Sequence, residues 1–208
     1  MPKTSTLKIV TSPPTSHVTA KPEAPKWVPA VLALGSNLGD RGEHLTRAAA
    51  ELGQIAGIKV RKFSPIVESF ALTQTGIDES KPKYLNSVLL VETNLKPKQL
   101  LAACRLIESE HGRVRLEKWG SRTLDVDIIT FGSVIKDSKE LTLPHPRAYQ
   151  RGFVLVPWSL ADPDAVLPGH GAVAELAAER TSEVQVIEQQ PLAEPSKQGK
   201  AAKKGSKK

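Results

Sequence analysis

Apolar residues run from Val28 to Leu34 and stop at Gly35, a pattern that fits a strand buried on both faces. Asp40 followed three residues later by Glu43 reads as a capping box, opening a helix to about Ile55 that Gly53 and Gly57 close. IKVRKFSPIVES, residues 58–69, is extended and β-branched, with an edge or bulge expected at Pro65. TQTGIDESKPK, residues 73–83, reads as a polar loop, and YLNSVLLVET, residues 84–93, as the next strand, with Leu85, Val88, Leu90 and Val91 as its apolar contacts. Pro97 opens a second helix and Gly112 lies just past its end. Between them Leu100, Cys104, Ile107 and His111 share one face. RTLDVDIITF, residues 122–131, supplies a further strand. The order β-α-β-β-α-β predicts an α+β fold, a ferredoxin-like sandwich, with a C-terminal extension that carries another apolar segment at FVLVPWSL.

At 208 residues the chain suits one domain able to bury a core, and 39% hydrophobic with 25% charged residues is ordinary for a soluble globular protein. No apolar stretch reaches the roughly 18 residues of a membrane span. The first residues lack the apolar core of a secretory signal. A single cysteine, Cys104, excludes an internal disulfide and fits a reducing cytoplasm. The net charge of +7 suggests nucleic acid until it is located: +3 lies in residues 1–26 and +3 in residues 181–208, which leaves +1 for the body. The expected organisation is a disordered basic tail over 1–26, a folded domain over 27–180 and a disordered Lys-rich tail over 181–208.

The chemistry concentrates at Asp125-Val126-Asp127. Strand alternation places Leu124, Val126 and Ile128 on one face and Asp125, Asp127 and Ile129 on the other. The two carboxylates are then about 6.6 Å apart along the backbone, close enough to converge on a cation. Hard oxygen ligands without His or Cys nearby suit Mg²⁺ rather than zinc. An exposed strand face with two salt bridges has the same local pattern. Directly upstream, HGRVRLEKWGSR carries Arg113, Arg115, Lys118 and Arg122 against one Glu117. A cationic loop feeding a carboxylate pair is the division of labour that transfer from a nucleoside triphosphate requires. GSNLGDR is not a P-loop, and neither the HRD nor the DFG arrangement of protein kinases occurs, so side chains and metal must hold the phosphates. His44 and His111 read as surface or packing residues and Cys104 as a small core hydrophobe.

LALGSNLGDR, YLNSVLLVET, GRVRLEKWGSRTLDVDII and LTLPHPRAYQRGFVLVP, in that order and spacing over about residues 28–168, resemble the hydroxymethyldihydropterin pyrophosphokinases. The resemblance implies the ferredoxin-like fold and transfer of pyrophosphate from ATP to 6-hydroxymethyl-7,8-dihydropterin, a step of folate biosynthesis. A cytoplasmic monomer is expected. The resemblance also implies roles for matching residues. Asp125 and Asp127 hold two Mg²⁺, with Arg113 and Arg122 on a loop that closes over the phosphates. Glu108, Arg115, Trp119, Thr142, His145 and Arg151 contact ATP, the co-substrate. Tyr84 and Phe153 sandwich the pterin ring, Asn86 bonds its polar edge, and Phe70 and Leu72 fall where backbone groups line the pterin pocket. Ser121 stands where the family usually has Pro, and SFALTQTG lacks the usual Thr-Glu-Pro-like run. The rival from another class is a non-catalytic nucleotide- or RNA-binding module on the same fold. It needs exposed sheet aromatics, whereas aromatics make up 4% of this chain.

Overall fold

The computed structural model describes residues 26–73, 76–112 and 123–187. Strand β1 (Val28–Ser36) leads to helix α1 (Arg41–Gln54), and Asp40 caps that helix by accepting from Glu43 N at 3.0 Å. Strands β2 (Ile58–Phe63) and β3 (Ile66–Ser69) flank Ser64-Pro65. There Ser64 Oγ takes the amide of Val88 at 2.8 Å and meets Ser87 Oγ at 2.9 Å, so a side chain supplies the partner the interrupted ladder lacks. A short hairpin, β4 (Ala71–Thr73) with β5 (Gly76–Asp78), precedes β6 (Tyr84–Thr93). Helix α2 (Pro97–Glu110) and strand β7 (Asp125–Phe131) complete the series. Around α3 (Gly152–Ala161) and α4 (Val173–Ala178) lie the two-residue strands β8 (Val166–Leu167) and β9 (Gly171–Ala172), and β10 (Val184–Ile187) ends the described chain.

The main sheet runs β10-β3-β6-β1-β7, with β2 also pairing β6, and every pairing in it is antiparallel. Taking β2 and β3 as one interrupted strand, the core order is the ferredoxin-like one. Residues of alternate parity feed two cores. Ala30, Leu32, Leu34, Leu89, Val91, Val126 and Ile128 pack with α1 and α2, and Leu100, Cys104 and Ile107 are buried there as the helical spacing predicts. Val31, Val88 and Ile129 pack instead with α3 and α4. Helix α3 is apolar nearly all round and buries seven of its ten residues, which is why FVLVPWSL forms a covered helix despite Pro157 inside it.

Two features differ from the sequence reading. The segment 73–83 is not wholly loop, because Leu72 pairs with Ile77 across the β4–β5 hairpin. Gly76, at φ 116, takes a backbone shape that side chains disfavour. The folded body also passes Arg180. A 3₁₀ turn, Thr181–Glu183, leads into β10, which pairs with β3, and Glu183 Oε2 accepts from Gly152 N at 3.0 Å, at the first turn of α3. The apolar alternation of Val184, Val186 and Ile187 is too short to announce a strand beside the polar tail, yet β3 offers an unpaired edge. A chain ending at Arg180 is therefore expected to melt about 5 °C or more below one ending at Ile187, since losing a helix-start acceptor alone costs about 1–2 kcal/mol. Thermal unfolding of the two chains measures this. Of the tails expected over 1–26 and 181–208, residues 1–25 and 188–208 lie outside the described residues.

Candidate active site

At one end of the sheet the strands open onto a cleft of about 540 Å³. Its floor is a cross-strand row: Asn86 on β6 pairs with Gly35 on β1, which pairs with Asp125 on β7, and Ala33 pairs with Asp127. A Cβ on Gly35 would stand 3.0 Å from Asn86 Oδ1, so glycine here leaves room for the carboxamide. Asn86 Nδ2 donates to Ser69 Oγ at 2.9 Å, fixing which end of the amide faces the next strand. A β-bulge follows at Ile129, where Leu32 pairs with Ile128 and Val31 with Thr130. It reverses the alternation, so Phe131 returns to the core of Val126 and Ile128 while Asp125 and Asp127 stay on the cleft side.

The anionic pair is met by a guanidinium and an imidazole from the segment preceding α3. Arg151 Nη1 lies 3.5 Å and His145 Nε2 3.7 Å from Asp127 Oδ2. His145 Nδ1 accepts from Arg147 N at 3.1 Å, which puts the proton of the neutral ring on Nε2, toward Asp127. Burial, helped by the neighbouring Arg151, pushes His145 down to about 4, so the ring is uncharged at neutral pH. Burial also lowers Arg151, opposed by Asp127, and its Nε has no hydrogen-bond partner among the described residues. Behind the strand, Glu108 of α2 is 5% exposed, and its Oε1 accepts from Val126 N at 2.8 Å. A buried carboxylate thus grips the backbone between the two aspartates. Phe70, Leu72, Tyr84 and Phe153 provide the apolar walls, with the Arg151 guanidinium 5.5 Å from the Phe153 ring centre.

Residues 31–163 match the family model described as 7,8-dihydro-6-hydroxymethylpterin-pyrophosphokinase (HPPK). The chain belongs to the HPPK family. The 2-amino-4-hydroxy-6-hydroxymethyldihydropteridine pyrophosphokinase of Synechocystis is 41% identical over 142 residues, 68% of this chain and 70% of the relative. The protein of the same name from Haemophilus influenzae is 38% identical over 149 residues, 72% of this chain and 91% of the relative. Among solved structures, Plasmodium falciparum HPPK-DHPS, crystallised with pterin and p-hydroxybenzoate, superposes with a TM-score of 0.58 at 14% identity. That match covers 77% of this chain and 44% of the Plasmodium chain, and at such identity it bears on the fold.

Against this HPPK scaffold, the cleft wall holds every described residue that the sequence nominated: Phe70, Leu72, Tyr84, Asn86, Glu108, Asp125, Asp127, Thr142, His145, Arg151 and Phe153. Arg113, Arg115, Trp119 and Arg122 lie outside the described residues, and their segment joins Gly112 to Thr123, the two ends flanking Glu108 and Asp125. Thr142 donates from Oγ1 to Asp137 Oδ1 at 3.0 Å. Sequence reasoning missed Ser69, Gly35 and Arg105, which also line the cleft. Arg105 stands three residues before Glu108 on α2, a spacing that puts both on one helical face and gave a usable signal. Ser69 has none, because it matters only through Asn86 on another strand. His44 and His111 stand apart from the cleft: His111 is buried at the end of α2, with Nδ1 2.9 Å from His44 Nδ1 and Nε2 2.8 Å from Glu51 Oε2. They pin α2 to α1. Burial pushes the Cys104 thiol up, which keeps it an inert core residue. Among the described residues, no helix is long and apolar enough to cross a membrane.

Proposed function

We propose that this chain transfers the pyrophosphoryl group of ATP to the hydroxymethyl oxygen of 6-hydroxymethyl-7,8-dihydropterin, releasing AMP and the pterin diphosphate for folate biosynthesis in the cytoplasm, as a monomer. The reading rests on one observation above all: a single cleft joins a carboxylate pair, with Arg151 and His145 beside it, to an aromatic pocket with a carboxamide on its floor. A flat bicycle with a polar edge suits Tyr84 and Phe153 as facing rings, each stacking contact contributing about 0.5–1.5 kcal/mol beyond area burial. Asn86, anchored by Ser69, is placed to read that edge.

The donor set fits Mg²⁺. Asp125 and Asp127 offer hard oxygens from one strand face, and no group of three or more His, Cys, Asp or Glu side chains able to hold a metal occurs among the described residues. Asp125 and Asp127 would hold the Mg²⁺, an ion usually bound by one or two carboxylates together with substrate phosphates, and two ions are expected. An ion held there would supply charge neutralisation for the transferring phosphoryl groups. The chain's own residues bind and align. Arg151, with Arg113, Arg115 and Arg122 from the segment between α2 and β7, grips phosphate oxygens through guanidinium forks, and His145 donates from Nε2–H. Trp119, Thr142 and Glu108 flank the nucleotide. Held in line, the pterin hydroxyl oxygen bonds to the β-phosphorus as the bond from that phosphorus to the AMP oxygen breaks.

The RNA-binding alternative needs an open sheet face, but α3 and α4 cover one face and α1 and α2 the other. Incubation with ATP, Mg²⁺ and the pterin alcohol should yield AMP in step with pterin diphosphate. Accumulation of ADP would instead mean single-phosphoryl transfer and overturn this reading.

A further inference from the structure

Beyond the cleft wall, a cluster of charges packs behind one of its aromatic residues. The β3–β6 register ends at Ser69 opposite Tyr84, and Phe70 and Lys83 are the residues that adjoin this last pair. Lys83 is not part of the cleft wall, but its Nζ stands over the Phe70 ring, 4.7 Å from the centroid. That ammonium is held by a carboxylate that Arg41 in turn holds. Its Nζ lies 3.2 Å from Glu68 Oε2, while the other carboxylate oxygen accepts from Arg41 Nη1 at 3.1 Å. The same Arg41 nitrogen donates to the backbone carbonyl of Lys83 at 2.8 Å. Arg41 is the first residue of α1, Glu68 sits on β3, and Lys83 immediately precedes β6, so the network ties together three elements beside the aromatic wall. Burial raises the Glu68 carboxyl, but hydrogen bonds from Lys83 and Arg41 outweigh it and keep the group ionised at neutral pH.

We infer that Arg41, Glu68 and Lys83 form a clamp that fixes the Phe70 ring for the flat substrate, which makes Lys83 a positioning residue for pterin affinity. The inference rests on the proposed reaction. An exposed ion pair would contribute little by itself. Here the carboxylate holds the ammonium in place, and the ammonium attracts the ring face through its quadrupole. The ring is thereby held while its cleft side stays open to a ligand. Neither Lys83 nor Glu68 reaches the carboxylate pair, so their effect is confined to the pterin side.

The test compares K83M, which keeps the aliphatic stem and removes the charge, with K83R and E68Q. The KM for the pterin alcohol should rise about three- to tenfold in K83M, and in the same direction in E68Q, whose Lys83 loses its anchor. Both kcat and the KM for ATP should stay within about twofold, and K83R should restore the pterin KM. Titration of pterin binding in the presence of Mg²⁺ and a non-hydrolysable ATP analogue should show the same loss in K83M. Unchanged pterin affinity in both K83M and E68Q overturns the clamp, as does a parallel change in kcat and both KM values. If wild type binds the pterin more tightly than K83M yet forms no AMP, the clamp stands and the reaction assignment falls.

Discussion

Replacing Asp127 with Asn is expected to lower turnover at ordinary Mg²⁺ by at least a hundredfold while also lowering the melting temperature by a few degrees. The variant keeps shape and volume and removes one negative charge from the cleft face of β7. Removing a single preorganised charge-stabilising group typically costs about 2.7–4 kcal/mol, or 10²–10³ in rate. Relief of the repulsion between two neighbouring carboxylates would by itself leave the variant equally stable or more so. The structure reverses that sign. Asp127 lies 3.5 Å from Arg151, whose side chain is only 14% exposed, and a buried guanidinium left without its anion is destabilising. Since Asp127 itself is 40% exposed, solvent screens the pair and the loss stays moderate. Steady-state kinetics and thermal unfolding on one variant measure both effects. Near-native turnover would remove Asp127 from the metal site, and a raised melting temperature would remove it as Arg151's counter-charge.

Glu108→Ala is expected to reduce both stability and turnover, although this side chain reaches the cleft from the helical layer. Its Oε1 is the acceptor for Val126 N, the amide between the two aspartates. Without it, that buried N–H is left unsatisfied, at a cost of about 1–3 kcal/mol. For a chain of this size that corresponds to a fall of about 3–9 °C in melting temperature. The strand is then free to shift, and misplacing the carboxylates by an ångström costs up to about 10²-fold in rate. Glu108→Gln keeps the accepting oxygen, so it should melt close to wild type. Equal melting temperatures for the Ala and Gln variants would show that the hydrogen bond does not hold the strand.

The long strands, the two long helices and the facing of the Asp pair were determined by the sequence itself, because each is written within a few consecutive residues. Alternation from Leu124 to Ile129 orients the carboxylates. The cap at Asp40, Pro97 at a helix start and the buried stripe Leu100-Cys104-Ile107-His111 need no distant partner to be read. The motifs also nominated cleft residues from five separate segments of chain, and all the described ones meet in one cleft. Other features depend on what packs against what, and no local pattern carries them. Val184–Ile187 is a strand only because β3 offers an edge, and FVLVPWSL is a helix because a whole sheet face needs covering. Ser69 acts through Asn86, and Gly35 matters because the Asn86 carboxamide approaches over it from the neighbouring strand. Glu108 holds Val126 across two layers, while Arg151 makes Asp127 a stabilising charge rather than a repelling one. Those roles arise from pairing and burial between residues far apart in the chain, whose energies exist only once the tertiary structure has brought them together and excluded water.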